Sequence, residues 1–479
     1  MRPQLNYPAP HVNSSTIREV VASGICVGCG ACSVATHGRI KVARNEYGIF
    51  QAELQAASSD DLATSSQVCP FADEAVNEDA LAAGLFPDLG SHDARVGRFL
   101  AIYAGRVGDS EDTELSSSGG LTSWLTIQLL ERGLIDGVLH VGAADPGGEG
   151  QLFDYVVSTK ADELRTRRKS QYYSLSFADV IERIRGDGKR YALVGVPCFV
   201  KAVRLLTRRD AQLRDQLPFC VGLVCGHLKS ARFAELMAWQ LGVEPQRLAK
   251  VDFRIKEPGK AASDYRFGAW ARGVTGPVSR PTHGLVGGDW GHAMFQVKAC
   301  DYCDDIFAET ADIAFGDAWL PQYAHDWRGT NVVVVRSRLL DEILHAGVAR
   351  GEVALEKLAV ELAAASQGGN YRHRWDGLSV RLADDRLAGR WVPQKRIAPG
   401  SRAVSEGRTR IVRLRRQLSA ASHAIFLEAR ERGSLRYFLR HIRPLMISLH
   451  LEYRRIGSTP LKNLLRRLKY GLLFLSRFT

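Results

Sequence analysis

Four cysteines stand in the arrangement Cys26-Val27-Gly28-Cys29-Gly30-Ala31-Cys32 and then, after a gap, Cys69-Pro70. A C-x2-C-x2-C triplet with one remote Cys-Pro is the spacing by which a chain wraps a cubane iron–sulfur cluster. The small residues between the thiols let the backbone turn tightly enough for them to converge. Pro70 fixes its own φ and gives up an N–H beside the fourth sulfur. Structural zinc also takes four cysteines, but as two C-x2-4-C knuckles, and a triplet plus one suits it poorly. In a run built for two clusters the next cysteine would follow after three intervening residues; that position is Thr36, so the segment reads as the holder of one. The chemistry such a cofactor supplies is one-electron transfer.

Five further cysteines remain. Cys300 and Cys303 make a second C-x2-C, Cys198 closes Gly195-Val196-Pro197-Cys198, and Cys225 stands in Val224-Cys225-Gly226-His227. The two lone thiols each follow an apolar, strand-like run, at the kind of sheet edge where α/β proteins place ligands. Together the four fit a second cluster; two buried cysteines and a small zinc knuckle fit as well, and spacing leaves both open. Cys220 lies inside an apolar run and reads as inert core. His227, beside Cys225, has the chemistry to bond a sulfur or protonate a substrate, and equally to be structural.

Phosphate-binding chemistry is also present. Ser116-Ser117-Ser118-Gly119-Gly120 precedes a helical pattern and offers hydroxyls and backbone N–H groups that suit a pyrophosphate. Arg168 and Lys169 add charge-assisted donors, with Ser170 between them and Tyr172, which suits a ring system. Asp317, in Gly316-Asp317-Ala318-Trp319, follows a buried strand and would hold a cofactor or order its loop. No GxGxxG follows a strand, so an ordinary Rossmann site for FAD or NAD is unsupported.

Taken in order, these motifs resemble the beta subunit of coenzyme F-420 hydrogenase and its relatives, an iron–sulfur flavoprotein family. CVGCGAC with Cys69-Pro70, SSSGG, RKSQY at 168–172, GVPC at 195–198, LVCGH at 223–227, CDYC at 300–303 and DIAFGDAW at 312–319 carry the resemblance over about residues 20–340. It implies FAD and one or two 4Fe-4S clusters, with Cys198, Cys225, Cys300 and Cys303 as ligands of the cluster nearer the flavin. It favours a cofactor role for Ser116 to Gly120, Arg168, Lys169, Ser170, Tyr172 and Asp317. The expected activity is an oxidoreductase that passes electrons between a ferredoxin-like carrier or redox partner subunit and a two-electron small molecule. An F-420-dependent reductase subunit is the alternative within the family, and a zinc-stabilised scaffold with a basic interaction tail is the non-enzymatic one.

The elements needed to position these residues follow from periodicity. Apolar strand-like runs at 99–104, 135–141, 191–196, 217–225, 312–315 and 331–336 alternate with helical patterns at 121–132, 176–185 and 199–206. Alternation of this kind predicts an α/β (mixed α+β) fold. We expect an N-terminal ferredoxin-like iron–sulfur segment at 1–90 and a central flavin-binding core in two parts, 97–184 and 185–345. A connector at 346–400 and a basic helical extension at 401–479 complete the chain. Residues 284–291, GLVGGDWG, predict a mobile loop.

Charge is concentrated at one end. From Ser401 to Thr479 the chain carries 18 Lys and Arg against four Asp and Glu, while the whole chain is +12, so residues 1–400 are nearly neutral. Leu461, Leu464, Leu465, Leu468, Leu472 and Leu475 form a helical apolar stripe with basic residues largely off it. Packing or protein contact fits this tail best, an anionic membrane surface next; nucleic-acid binding is weakest, since no reading motif accompanies the charge. No apolar run approaches the roughly 18 residues that cross a bilayer, and the opening lacks a secretory pattern. The expected setting is the cytoplasm, where thiols stay reduced.

Overall fold

The computed structural model describes residues 16–108, 110–144 and 151–457. Apolar runs alternating with helices can bury both faces of their strands only by forming one covered sheet. Eight strands do so: β1 (Ala101–Val107), β2 (Gly137–Ala143), β3 (Phe153–Ser158), β4 (Tyr191–Gly195), β5 (Phe219–Leu223), β6 (Ile313–Asp317), β7 (Asn331–Val335) and β8 (Val353–Lys357). Their order across the sheet is β8-β1-β7-β6-β5-β4-β2-β3. Strands β6, β5, β4 and β2 are mutually parallel. Strand β7 is antiparallel to both β6 and β1, so β1 points the same way as that group. The C-terminal ends of five strands therefore share one edge.

Period-2 alternation divides the core. Tyr103, Val221, Ile313, Phe315, Val333 and Val335 meet Leu125, Leu129, Leu340 and Leu344 of helices Leu121–Glu131 and Arg338–Ala349. Ile102, Ala104, Leu193, Cys220, Ala314, Val332 and Val334 face the opposite way, into a larger core that takes in the N-terminal cysteine segment and helix Pro197–Arg209. That helix starts directly after β4 because Pro197, at its first turn, needs no partner for its nitrogen and brings a helical φ. Cys220 is fully buried, and burial pushes its thiol up to about 11.

The six anticipated strands and three anticipated helices are all present, with ends shifted by a few residues. Two features differ from expectation. Residues 346–400, read as a connector, supply edge strand β8, paired antiparallel to β1, and a π-helical turn at Arg372–Asp376. A separate antiparallel sheet of Leu248–Ile255, Arg266–Ala271 and Val278–Pro281 forms from a polar, interrupted stretch in which no clear alternation marks the strands.

The basic extension is a helical hairpin, Glu406–Glu431 and Leu435–Arg455, each helix capped by a serine: Ser405 accepts from the Arg408 N–H and Ser434 from that of Tyr437. Its inner face docks on the body. Phe426 and Phe438 are fully buried, with ring centroids 5.4 and 6.0 Å from Phe295, and Ser422 Oγ accepts the Phe295 N–H at 2.8 Å. The leucine stripe of 461–475 lies outside the described residues. Among those described, no helix is long and apolar enough to cross a membrane.

Because Phe426 joins hairpin to body, Phe426→Ala should cost about 3–5 kcal/mol of stability, read as a lowered urea midpoint. An unmoved midpoint would mean that the hairpin contributes nothing to the cooperative fold.

Candidate redox site

The outer cysteines are placed by glycine geometry. Gly28 and Gly30 have φ of 74° and 97°, a region in which a side chain is strained. A Cβ on Gly28 would stand 2.3 Å from the Phe50 carbonyl oxygen, and one on Gly30 would stand 2.4 Å from Ser176 Oγ. Cys32 lies in the first turn of the short helix Ala31–Ala35, and Cys69 caps the end of helix Ser59–Val68, whose start is held by a Ser58–Asp61 capping box. Main-chain N–H groups point at the sulfurs: Gly28 and Ala52 at Cys26, Gly30 and Ala31 at Cys29, Ser33 at Cys32, Phe71 and Ala72 at Cys69.

Burial pushes all four thiols up, Cys69 to about 12, and Cys32 is raised further by Cys26, Cys29 and Cys69. Four such groups ionise together only around a cationic core, which is the donor chemistry that a metal–sulfur cluster requires. Among the described residues no three His, Cys, Asp or Glu close on a single-ion position. A cubane asks for a wider spread, since its thiolates sit at the corners of a cage.

The second set gathers at the sheet edge. Cys198 lies in the first turn after β4, Cys225 just beyond β5, and Cys300 and Cys303 in and after the turn Lys298–Tyr302. Burial raises Cys198 most, and Cys303, Cys300 and Cys225 add to it in that order. Cys300 Sγ accepts the Leu228 N–H at 3.2 Å, and Cys303 Sγ accepts from Arg374 Nη1 at 2.6 Å. All four anticipated residues are thus brought to one place. The two sets also share a wall. Tyr155 is raised first by burial, then by both Cys198 and Cys29, and its ring stacks on Phe199 at 5.9 Å. Phe177, 6.3 Å from Tyr155, donates its N–H to the Cys29 carbonyl at 2.9 Å.

The phosphate-type residues meet at the end of β1. A Cβ on Gly119 would approach Asn331 Oδ1 to 2.8 Å and the Gly105 oxygen to 2.9 Å, so only glycine lets the turn lie against the sheet. Ser116 Oγ donates to the Asp112 oxygen at 2.6 Å, and Ser117 Oγ accepts the Ser170 N–H at 2.8 Å. Asn331 Oδ1 accepts the Leu121 N–H at 3.2 Å, which occupies one helix-start donor. Lys169 Nζ donates to the Arg254 oxygen at 2.9 Å, Arg254 pairs with Asp317 at 3.0 Å, and Arg168 pairs with Asp112. The Lys256 ammonium donates to the carbonyls of Thr113 (2.5 Å), Ser118 (2.9 Å) and Arg328 (2.5 Å). Burial, then the neighbouring Lys169, lowers it to about 7. The cleft beside these groups is lined by Ser117, Ser118, Lys256, Asp317, Trp319 and Tyr323. Its ammonium and hydroxyls suit an anionic group.

An aromatic chain joins cradle to cysteines. Tyr172 meets Trp290 at 4.7 Å, and Trp290 meets the His227 ring at 4.5 Å. Burial, with Lys229 beside it, holds His227 well below its usual range, so the ring is neutral, and its Nε2 has no hydrogen-bond partner among the described residues. Sequence reading missed Arg254, Lys256, Trp290, Asn331 and Arg374. Trp290 alone carried a signal, as the one large aromatic in the glycine-rich loop at 284–291.

Comparison with known proteins places most of this site in matched regions. Two family models, both described as coenzyme F420 hydrogenase/dehydrogenase, match the chain: the N-terminal model of the beta subunit over residues 102–182, and its C-terminal model over residues 188–361. Coenzyme F420 hydrogenase subunit beta of Methanothermobacter thermautotrophicus is 24% identical over 266 residues, covering 53% of this chain and 84% of that protein. A polypeptide of the F(420)H(2) dehydrogenase of Methanosarcina mazei is 22% identical over 334 residues, covering 67% and 82%. A chain of the F420-reducing [NiFe] hydrogenase complex of Methanosarcina barkeri superposes with a TM-score of 0.46 at 19% identity, covering 61% of this chain and 96% of that one.

The cysteine turn makes a comparison between two glycines decisive. Gly133 has φ of 65° and nothing within 4 Å of an added Cβ, so Gly133→Ala should cost about 1–2 kcal/mol from backbone strain alone. Gly30→Ala should cost clearly more by urea unfolding, because it adds a collision; equal losses would refute the close approach.

Proposed function

The chain belongs to the family of coenzyme F420 hydrogenase/dehydrogenase beta subunits, an oxidoreductase family, and from that premise we propose that it is an iron–sulfur flavoenzyme. In this reading it carries electrons between a one-electron carrier, ferredoxin-like or a redox partner subunit, and a two-electron small-molecule substrate. The observation that supports it most is the sorting of eight thiols into two groups of four, with Tyr155 against a member of each. Cys26, Cys29, Cys32 and Cys69 would hold an outer 4Fe-4S cluster, and Cys198, Cys225, Cys300 and Cys303 an inner one. The serine–glycine turn at 116–120, with Arg168, Lys169, Ser170, Arg254, Lys256 and Asp317, would hold the anionic part of FAD, and Tyr172 with Trp290 would flank its ring. When bound, the clusters trade single electrons and the flavin trades one or two, which no side chain of the protein can do.

The residues supply the rest. Buried, mutually close thiols exclude water from the electron route, and the stacked pair Tyr155–Phe199 fills the space between the two groups. The His227 Nε2 is the atom proposed to hydrogen-bond the substrate, since it is buried, neutral and unpartnered among the described residues. Reduced thiols of this kind suit a cytoplasmic setting. A second reading, with coenzyme F420 itself as the two-electron partner, is favoured by the names of both relatives.

Anaerobic iron, sulfide and flavin analysis tests the proposal. About eight irons and one FAD per chain are expected, and Cys69→Ser and Cys198→Ser should each lose about half the iron. A colourless preparation containing only zinc would replace the redox reading with the scaffold. Lys256 makes a separate prediction for FAD. With the free ammonium titrating at about 7, the cation that an anion needs is present at pH 6 and mostly lost at pH 8. Affinity should therefore fall about tenfold from pH 6 to pH 8. Lys256→Met should flatten that slope, as followed by flavin fluorescence.

A further inference from the structure

The two cysteine groups use one kind of side chain in two different electrostatic settings. Around the outer four the donors are main-chain N–H groups, and Lys201 is the cation that acts on Cys69. The inner four have a guanidinium against them. Arg374 is 2% exposed, and its Nη1 donates to Cys303 Sγ at 2.6 Å. It also hydrogen-bonds the Cys225 sulfur, and the main-chain oxygens of Gly226, at 3.2 Å, and Asp305 accept from it.

No carboxylate pairs with Arg374 among the described residues, whereas the buried Arg204 and Arg396 pair with Asp312 and Glu309. A buried charge needs a counter-charge, and the group that stands against this guanidinium is the Cys303 sulfur. The residue is delivered by the π-helical turn Arg372–Asp376, a geometry that recurs at functional sites because the widened turn re-aims side chains. It lies beyond residues 188–361, the stretch matched by the C-terminal family model.

We infer that Arg374 is the fixed counter-cation of the inner cluster and holds its reduction potential above that of the outer one. The inference rests on the two-cluster reading of the site. Reduction adds one negative charge to a cluster, and a cation fixed in a low-dielectric interior stabilises the reduced form more than the oxidised form. One electron leaves the reduced outer cluster and enters the oxidised inner one, with no bond made or broken and no proton moved. The one-electron carrier supplies that electron, and the potential difference drives it toward the flavin side. Arg374 is thus a positioning and tuning residue rather than a catalytic one.

The test is an anaerobic redox titration followed by electron paramagnetic resonance, with iron counted first. Titration in a Cys69→Ser background isolates the inner signal. In Arg374→Gln the reduced-to-oxidised ratio of the inner cluster at a fixed poise should fall at least tenfold, a shift of about 59 mV for a one-electron couple. The outer potential should stay where it is. Arg374→Lys keeps the charge and loses the planar fork, so its shift should be smaller and in the same direction. If Arg374→Gln binds less iron, Arg374→Lys decides: an inner potential close to wild type supports the inference, and a fall of about 59 mV or more in spite of the retained charge overturns it. Full iron with an unmoved inner potential in Arg374→Gln overturns the inference alone. Iron-free wild-type protein overturns it together with the reading on which it rests.

Discussion

Charge taken out of water is the constraint around which this protein is organised. Six of the eight grouped cysteines are buried, Cys26 and Cys198 are only partly exposed, and every thiol is pushed toward its neutral form by its surroundings. A site like this is stable as a set of thiols and becomes a set of thiolates only when something cationic enters or already stands beside it. Main-chain N–H groups perform part of that task at the outer set. At the inner set a complete guanidinium does.

The sheet converts this local constraint into a route. Because β1, β4, β5 and β6 run the same way, the turn at 116–120, Cys198, Cys225 and Asp317 all emerge at one edge, although long stretches of chain separate them. The N-terminal cysteine segment is then fastened to that body by ion pairs. Lys201, one turn beyond Cys198, donates to the Pro70 oxygen at 3.1 Å and pairs with Glu78 at 3.1 Å. Arg396 reaches the same segment through Asp79 at 3.0 Å and pairs with Glu309 of the body at 2.7 Å. Losing one member of such a network leaves an uncompensated charge in the interior, so these pairs fix the relative position of the two cysteine sets more than they add net stability.

The same logic explains why the chain beyond residue 345 matters to the site. Strand β8 closes the sheet beside β1, and the π-helical turn inserts Arg374 between β5 and the Cys300–Cys303 turn. The C-terminal hairpin covers the far side through Phe426, Phe438 and Ser422, and its Arg416 pairs with Asp385 at 2.7 Å. Its inward face is taken up by packing, which leaves the outward face to carry the positive charge of the tail.

Residue identity alone determined the outer cysteine group, the glycine-dependent turns, the alternation of strands and helices, and the motifs of the family, because each is written in short-range spacing. Thiol ligands, positive-φ glycines and period-2 burial are local requirements, and a linear chain displays them directly. Strand β8 and the small antiparallel sheet were not legible, since their alternation is broken by polar residues whose burial depends on what packs over them. Arg254, Lys256 and Arg374 were invisible for a related reason: a basic side chain acquires a role from the charges and rings beside it. Those neighbours come from distant parts of the chain, and only the tertiary structure decided which of them would meet.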